Sequence, residues 1–186
     1  DGGQRLGALL MFTLPGIPVL FAGDEFGLKG DNGEFSRTPM PWNDPGRILS
    51  DLRADYAALS TLRREQPALT AGGIRWLHAR GDVLAFVRET ARSSVLVVVA
   101  RAAAEVLLAP GTLAAAQLAA LAGEPAYATA DVDVALVPSP PPSPSPVQPG
   151  GQIKADDAAG TALICTAGPA AAAWVLPGTR VPGPQP

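Results

Sequence analysis

What the sequence has little of narrows the field first. Its 186 residues contain one cysteine, Cys165, and one histidine, His78. A single thiol excludes an intrachain disulfide framework and a cysteine-based zinc site. A single imidazole excludes a His-rich metal centre. Charged residues make up only 17% and the formal net charge is -3, which speaks against a large basic face for nucleic acid. The longest apolar runs are interrupted: Leu6–Leu14 stops at Pro15-Gly16, and Ile17–Ala22 stops at Gly23-Asp24. Neither supplies the roughly 20 apolar residues of a spanning helix, so no membrane partner is expected. The chain opens on Asp-Gly-Gly, without Met or a charged-then-apolar signal pattern, and is expected to be a portion of something longer.

What is present suffices for a core: 47% of the residues are hydrophobic. Leu6, Leu9, Leu10 and Phe12–Leu14 recur near helical spacing and predict a helix over Gln4–Leu14, closed by Pro15-Gly16. Ile17–Ala22 (IPVLFA) is short, continuous and apolar, the pattern of a strand buried on both faces. Gly23–Asp44 follows with charges, glycines and no period. A polar loop of that length is uncommon in a compact domain and is usually functional. A second helix is predicted to start near Ile48 and must stop before Pro67.

From Ile74 the period shortens. Ile74–Ala79, Val83–Arg88, Val95–Ala100, Val106–Leu108, Val132–Val137, Ala162–Thr166 and Ala171–Leu176 read as strands, with Gly81-Asp82 as a hairpin turn. Leu113–Leu121 fits either a helical turn or an Ala-rich excursion. Residues 138–151 (PSPPPSPSPVQPGG) form a low-complexity insert, expected to be extended. This order predicts α/β followed by all-β: residues 1–71 as the end of a larger α/β unit, 72–177 as an antiparallel β-sandwich, 178–186 as a disordered tail. One buried strand between two helices cannot cover its own faces. Leu9, Leu10, Phe12, Val19, Leu20 and Phe21 are therefore expected to face partners outside the chain. A piece starting near Gly72 is expected to be the better behaved.

Three motifs carry a resemblance: Pro15-Gly16-Ile17-Pro18, Phe21-Ala22-Gly23-Asp24-Glu25 and Arg37-Thr38-Pro39-Met40-Pro41-Trp42. With the helix-to-sheet stretch after them, they resemble the C-terminal portion of glycoside hydrolases of the α-amylase family, family 13, and within it α-glucosidase-like enzymes. The resemblance runs over Gln4–Val99. It implies that Ile17–Ala22 is the eighth strand of a (β/α)8 TIM barrel, that Asp24–Asp44 is its loop, and that the sheet-forming half is the family's domain C. Loops at that end of a barrel build the active site. The implied activity of the parent enzyme is retaining cleavage of α-glucosidic bonds in an α-glucan or oligosaccharide, with hydrolysis favoured over transfer. The family's catalytic carboxylates match no position here, so no catalytic residue is expected in this chain. Its partners would be the sugar and the missing N-terminal part of the barrel. No cofactor and no metal are implied.

The resemblance makes Arg37 a sugar-binding residue, with Glu34 as its acidic companion. A planar guanidinium suits fixed donation to hydroxyls and to a carboxylate. Asp24 and Glu25 are adjacent, and on an extended strand adjacent side chains point to opposite sides, so they cannot flank one bond as acid and base. They are read as structural at the active-site end, as is Trp42, an anchor for the loop. Asp31, Asn32 and Glu34 lack the spacing of a calcium loop. His78 and Cys165 read as structural, and Arg63, Arg64 and Glu65 as a solvated helix face. Two rivals remain: a non-catalytic carbohydrate-binding sandwich, which needs exposed aromatics among Trp76, Phe86, Tyr127 and Trp174, and a catalytically dead barrel relative acting as a partner protein.

Overall fold

The computed structural model describes residues 2–30, 37–49, 52–108, 111–129, 132–137, 160–165 and 170–178. Helix α1 spans Gly2–Thr13, α2 spans Arg53–Glu65 and α3 spans Pro67–Ala71. Strands β1 (Gly73–Arg80), β2 (Val83–Glu89), β3 (Ser93–Ala100) and β4 (Ala104–Leu108) follow, then α4 (Ala115–Ala120). The last four strands are β5 (Tyr127–Ala128), β6 (Val132–Val137), β7 (Gly160–Cys165) and β8 (Ala170–Pro177). Among the described residues they form a five-stranded antiparallel sheet, ordered β1-β2-β3-β8-β5, and a three-stranded one, ordered β4-β7-β6.

Strand β3 explains the larger sheet. Its run Val95–Ala100 is apolar at every position because both of its faces are covered. Successive side chains alternate sides. Val95, Val97 and Val99 join Leu6, Leu9, Phe12, Leu59, Leu62 and Leu69 from the three helices. Leu96, Val98 and Ala100 instead meet Leu108, Leu113, Leu121, Trp174 and Leu176. The alanines of β8 keep the sheet low on both sides, so α1 and α4 can approach it.

At the Gly81 hairpin, φ is +58°, the left-handed value that glycine adopts without steric cost. Strand β1 carries a register shift between Trp76 and His78, so this edge is kinked. Pro67 opens α3 at its first turn, where its missing N–H is not needed. None of the described helices is long and apolar enough to cross a membrane.

Three expectations are corrected. Ile17–Ala22 is not a strand: it enters no sheet among the described residues, because nothing there offers it a ladder, and Ala22 already belongs to the following turn. The second helix starts at Arg53 rather than near Ile48, because the Leu49 and Leu52 amides donate to the carbonyls of Phe26 and Glu25 (3.1 and 2.9 Å). Leu9 and Phe12 do not face outward partners: they are buried against the sheet. Val19, Leu20 and Phe21 are exposed, at 76%, 42% and 53%. The insert at 138–151 and residues 179–186 of the expected tail lie outside the described residues.

Candidate functional site

The loop expected to carry function begins where α1 ends. Gly16 has φ +122°, so a non-glycine residue there would be strained, and the flanking Pro15 and Pro18 fix their own φ angles. The chain then runs without regular structure to Phe21 and turns at Gly23, φ +103°. Any other residue would be strained at that φ, and its Cβ would lie 2.7 Å from Leu28 Cδ1, so the Leu28 side chain would have to move.

Asp24–Phe26 form a 3-10 turn, which overturns the extended backbone expected for Asp24 and Glu25. The Glu25 carboxylate accepts a hydrogen bond from the Gly23 amide at 2.9 Å, and the Glu25 carbonyl accepts from Leu52. This carboxylate therefore holds its own turn. Tyr56 lies nearby: burial raises its pKa first, and the charges of Asp24, Glu25 and Asp55 raise it further.

The centre of the loop is Phe26, which the sequence reading did not single out. It is buried, with the Trp42 ring edge-to-face at 6.4 Å and 87° and the Arg53 guanidinium 5.2 Å from its centroid. Its signal was faint: an isolated aromatic amid charges and glycines, with no period. Trp42 touches Phe26 but remains 75% exposed, so much of the indole faces solvent. Thr38 Oγ1 donates to the Lys29 carbonyl at 3.3 Å, across the two limbs of the loop. Arg37 is exposed on the second limb. Glu34, Asp31 and Asn32 lie outside the described residues.

Arg63 departs from the solvated helix face expected of it. Its guanidinium crosses from α2 to the end of α1, donating to the carbonyls of Phe12 (2.6 Å), Leu14 (3.3 Å) and Gly16 (2.5 Å). It lines an open groove of about 570 Å³ with Phe12, Pro18, Leu20 and Tyr56.

A debranching enzyme from Nostoc punctiforme shares the fold, with a TM-score of 0.62 at 20% identity, covering 95% of this chain and 31% of that one. Among sequences, an amylopullulanase of Thermoanaerobacter thermohydrosulfuricus is 36% identical over 84 residues, 45% of this chain and 6% of its own length. A cyclomaltodextrinase of Thermoanaerobacter pseudethanolicus is 36% identical over 95 residues, 51% of this chain and 16% of its own. These matches relate the chain to part of the glycoside hydrolases of the α-amylase family. A third relative, the amino acid transporter heavy chain SLC3A2 of mouse, is 34% identical over 108 residues, 45% of this chain and 20% of its own. The chain thus spans a fifth or less of each of these three relatives. No family model matches it.

Proposed function

We propose that the chain is the C-terminal portion of a retaining glycoside hydrolase acting on α-glucosidic bonds of oligo- or polysaccharides. In this reading residues 1–71 end a (β/α)8 barrel, with Ile17–Ala22 as its last strand, and 72–177 form the β-sandwich after it. The two carboxylates that retaining cleavage needs sit on barrel strands outside this chain. The chain supplies part of the sugar-binding loop: Arg37 and Glu34 hold hydroxyls, while Asp24, Glu25 and Trp42 shape the loop around Phe26.

One observation carries the reading. Ile17–Phe21 is apolar, belongs to no helix or sheet among the described residues, exposes Ile17, Val19, Leu20 and Phe21, and leads into the loop bearing Arg37 and Trp42. Apolar side chains on both sides of an extended backbone suit a parallel strand covered on both faces. The loop at the C-terminal end of such a strand is where barrels build active sites. The identity to an amylopullulanase and a cyclomaltodextrinase supports α-glucans as the substrate class.

The test is Arg37→Ala in the full-length protein carrying this chain. It lowers kcat/KM on maltotriose by about ten- to a hundredfold, the cost of charged hydrogen bonds lost in the transition state, with the melting temperature unchanged. A kcat/KM within about twofold of wild type removes Arg37 from the subsite. The 186-residue chain by itself releases no glucose from maltotriose. Turnover that disappears in Glu25→Gln would make that carboxylate catalytic.

A second reading is a catalytically dead barrel relative that serves as a partner protein; the match to a transporter heavy chain favours its partner role. Full-length protein that binds a partner but cleaves no α-glucoside selects it. A carbohydrate-binding sandwich is disfavoured: Phe86, Tyr127 and Trp174 are buried, and Trp76 is half-exposed against Phe86.

A further inference from the structure

The end of α1 is closed in an unusual way. The last four carbonyls of a helix lack intrahelical donors and need other partners. Here the Leu10 carbonyl accepts from the Leu14 amide, and two guanidinium groups from different elements reach the carbonyls of Phe12 and Thr13 and two just beyond the helix. Arg63 of α2 reaches Phe12, Leu14 and Gly16, and Arg88 of β2 donates to Thr13. Arg88 is 1% exposed and also donates to the Gly72 and Gly73 carbonyls at 2.7 and 3.1 Å. Its bonds reach only carbonyl oxygens, at the C-terminal ends of α1 and α3, where the helix dipoles are negative. Burial lowers its pKa, and the charge of Arg63 lowers it further.

The two arginines divide the work. Arg88 is locked in the core and ties α1 to the sheet. Arg63 is half-buried and bonds every second carbonyl across the point where the helix unwinds into Ile17–Phe21. The far side of the loop is tied to the same neighbourhood, through the Leu49 and Leu52 amides just ahead of α2. Both ends of the segment Gly16–Phe26 are thus referenced to α2.

We propose that Arg63 and Arg88 form a clamp on the carbonyl end of α1, and that Arg63 is a positioning residue: it sets the direction in which Ile17–Phe21 leaves the helix, and through it the placement of the loop that carries Arg37. The consequence for sugar binding rests on the proposed glycosidase reading; the clamp does not. A planar fork can span three carbonyls at once, whereas a lysine offers one compact charge at one place.

Hydrogen exchange on the 186-residue chain tests the clamp. The amides of Asp24, Phe26, Gly27 and Leu28 are hydrogen-bonded within the turn and report its order. In Arg63→Ala they exchange about tenfold faster, with β3 amides within about twofold of wild type. Arg63→Lys falls between, and serves if the alanine variant folds poorly. Unchanged turn amides, or equal acceleration in β3, overturn the proposal. In the full-length protein, Arg63→Ala raises KM for maltotriose about tenfold with kcat within about twofold, a split that a reduced folded fraction would not produce. An unchanged KM overturns the positioning role. Absence of maltotriose turnover in wild type sinks the glycosidase reading instead, and the exchange pattern then decides the clamp by itself.

Discussion

Ile17–Ala22 and Val95–Ala100 are six-residue apolar runs, IPVLFA and VLVVVA, with opposite fates. The second is the buried centre of a sheet, covered by helices on one face and by β4 and α4 on the other. The first lies exposed, with Ile17 at 89%. Hydrophobicity states that a segment gains by being covered; it does not state what covers it. For Val95–Ala100 the cover lies within the chain. For Ile17–Ala22 the described residues hold none, and exposed apolar stretches of that kind mark interaction sites.

The comparison can be broken most severely by removing residues 2–71. Strand β3 would lose Leu6, Leu9, Phe12, Leu59, Leu62 and Leu69 from one face. The remaining fragment is expected to aggregate and show no cooperative melt, by light scattering and circular dichroism. This reverses the expectation that a piece starting near Gly72 behaves better, because that expectation placed Leu9 and Phe12 against absent partners. A soluble fragment with a sharp melt would show that the sheet does not need the helices.

Paired aspartates come next. Val97→Asp buries an unpaired charge and should cost several kcal/mol, enough to unfold the chain in urea titrations. Val19→Asp should leave stability within about 0.5 kcal/mol, because the side chain already meets water. Equal losses would erase the distinction between the two runs.

Arg88→Met keeps the volume but leaves the Thr13, Gly72 and Gly73 carbonyls without that donor. Of the three only the Thr13 carbonyl is buried, and an orphaned buried carbonyl costs about 1–3 kcal/mol, so a loss of about that size is expected in urea titrations. A loss below about 1 kcal/mol would show that the clamp is dispensable for stability.

Tyr127→Phe is the smallest change. The Tyr127 hydroxyl donates to Asp55 at 2.8 Å, and Arg5 bonds the other oxygen at 3.0 Å, tying α1, α2 and β5. The cost should be about 1 kcal/mol at pH 7. Burial and then the bond to Asp55 raise the phenol pKa above its ordinary 10.0. A raised folded pKa gives stability that is complete below pH 10.0 and is lost as pH climbs through the folded value. Wild type should therefore lose more stability above pH 10.0 than the phenylalanine variant does, and parallel pH profiles would exclude the linkage.

Much of the sheet was legible. Val132–Val137 appears as expected, and β1, β2 and β3 match their expected runs to within two residues at each end, because strand patterning is local. Strand β5 was missed: its two residues are too short to show a period, and pairing with β8 defines them. Trp42 was legible as an aromatic of the loop through its motif, whereas the 3-10 turn at Asp24 and Glu25 was not, because the apolar run before it reads as a strand. Phe26 was not, since its partners Trp42 and Arg53 lie 16 and 27 residues away in the chain.

The sequence by itself determined where most of the strands fall and that Gly16 and Gly23 sit at bends. Each follows from side-chain size, branching and permitted φ within a few residues. Tertiary structure alone decided the roles of Arg63 and Arg88. Nothing local distinguishes a guanidinium that faces water from one that closes a helix 51 or 75 residues earlier. That choice depends on which backbone carbonyls remain unpaired once the helices have packed on the sheet, and burial makes leaving them unpaired too costly.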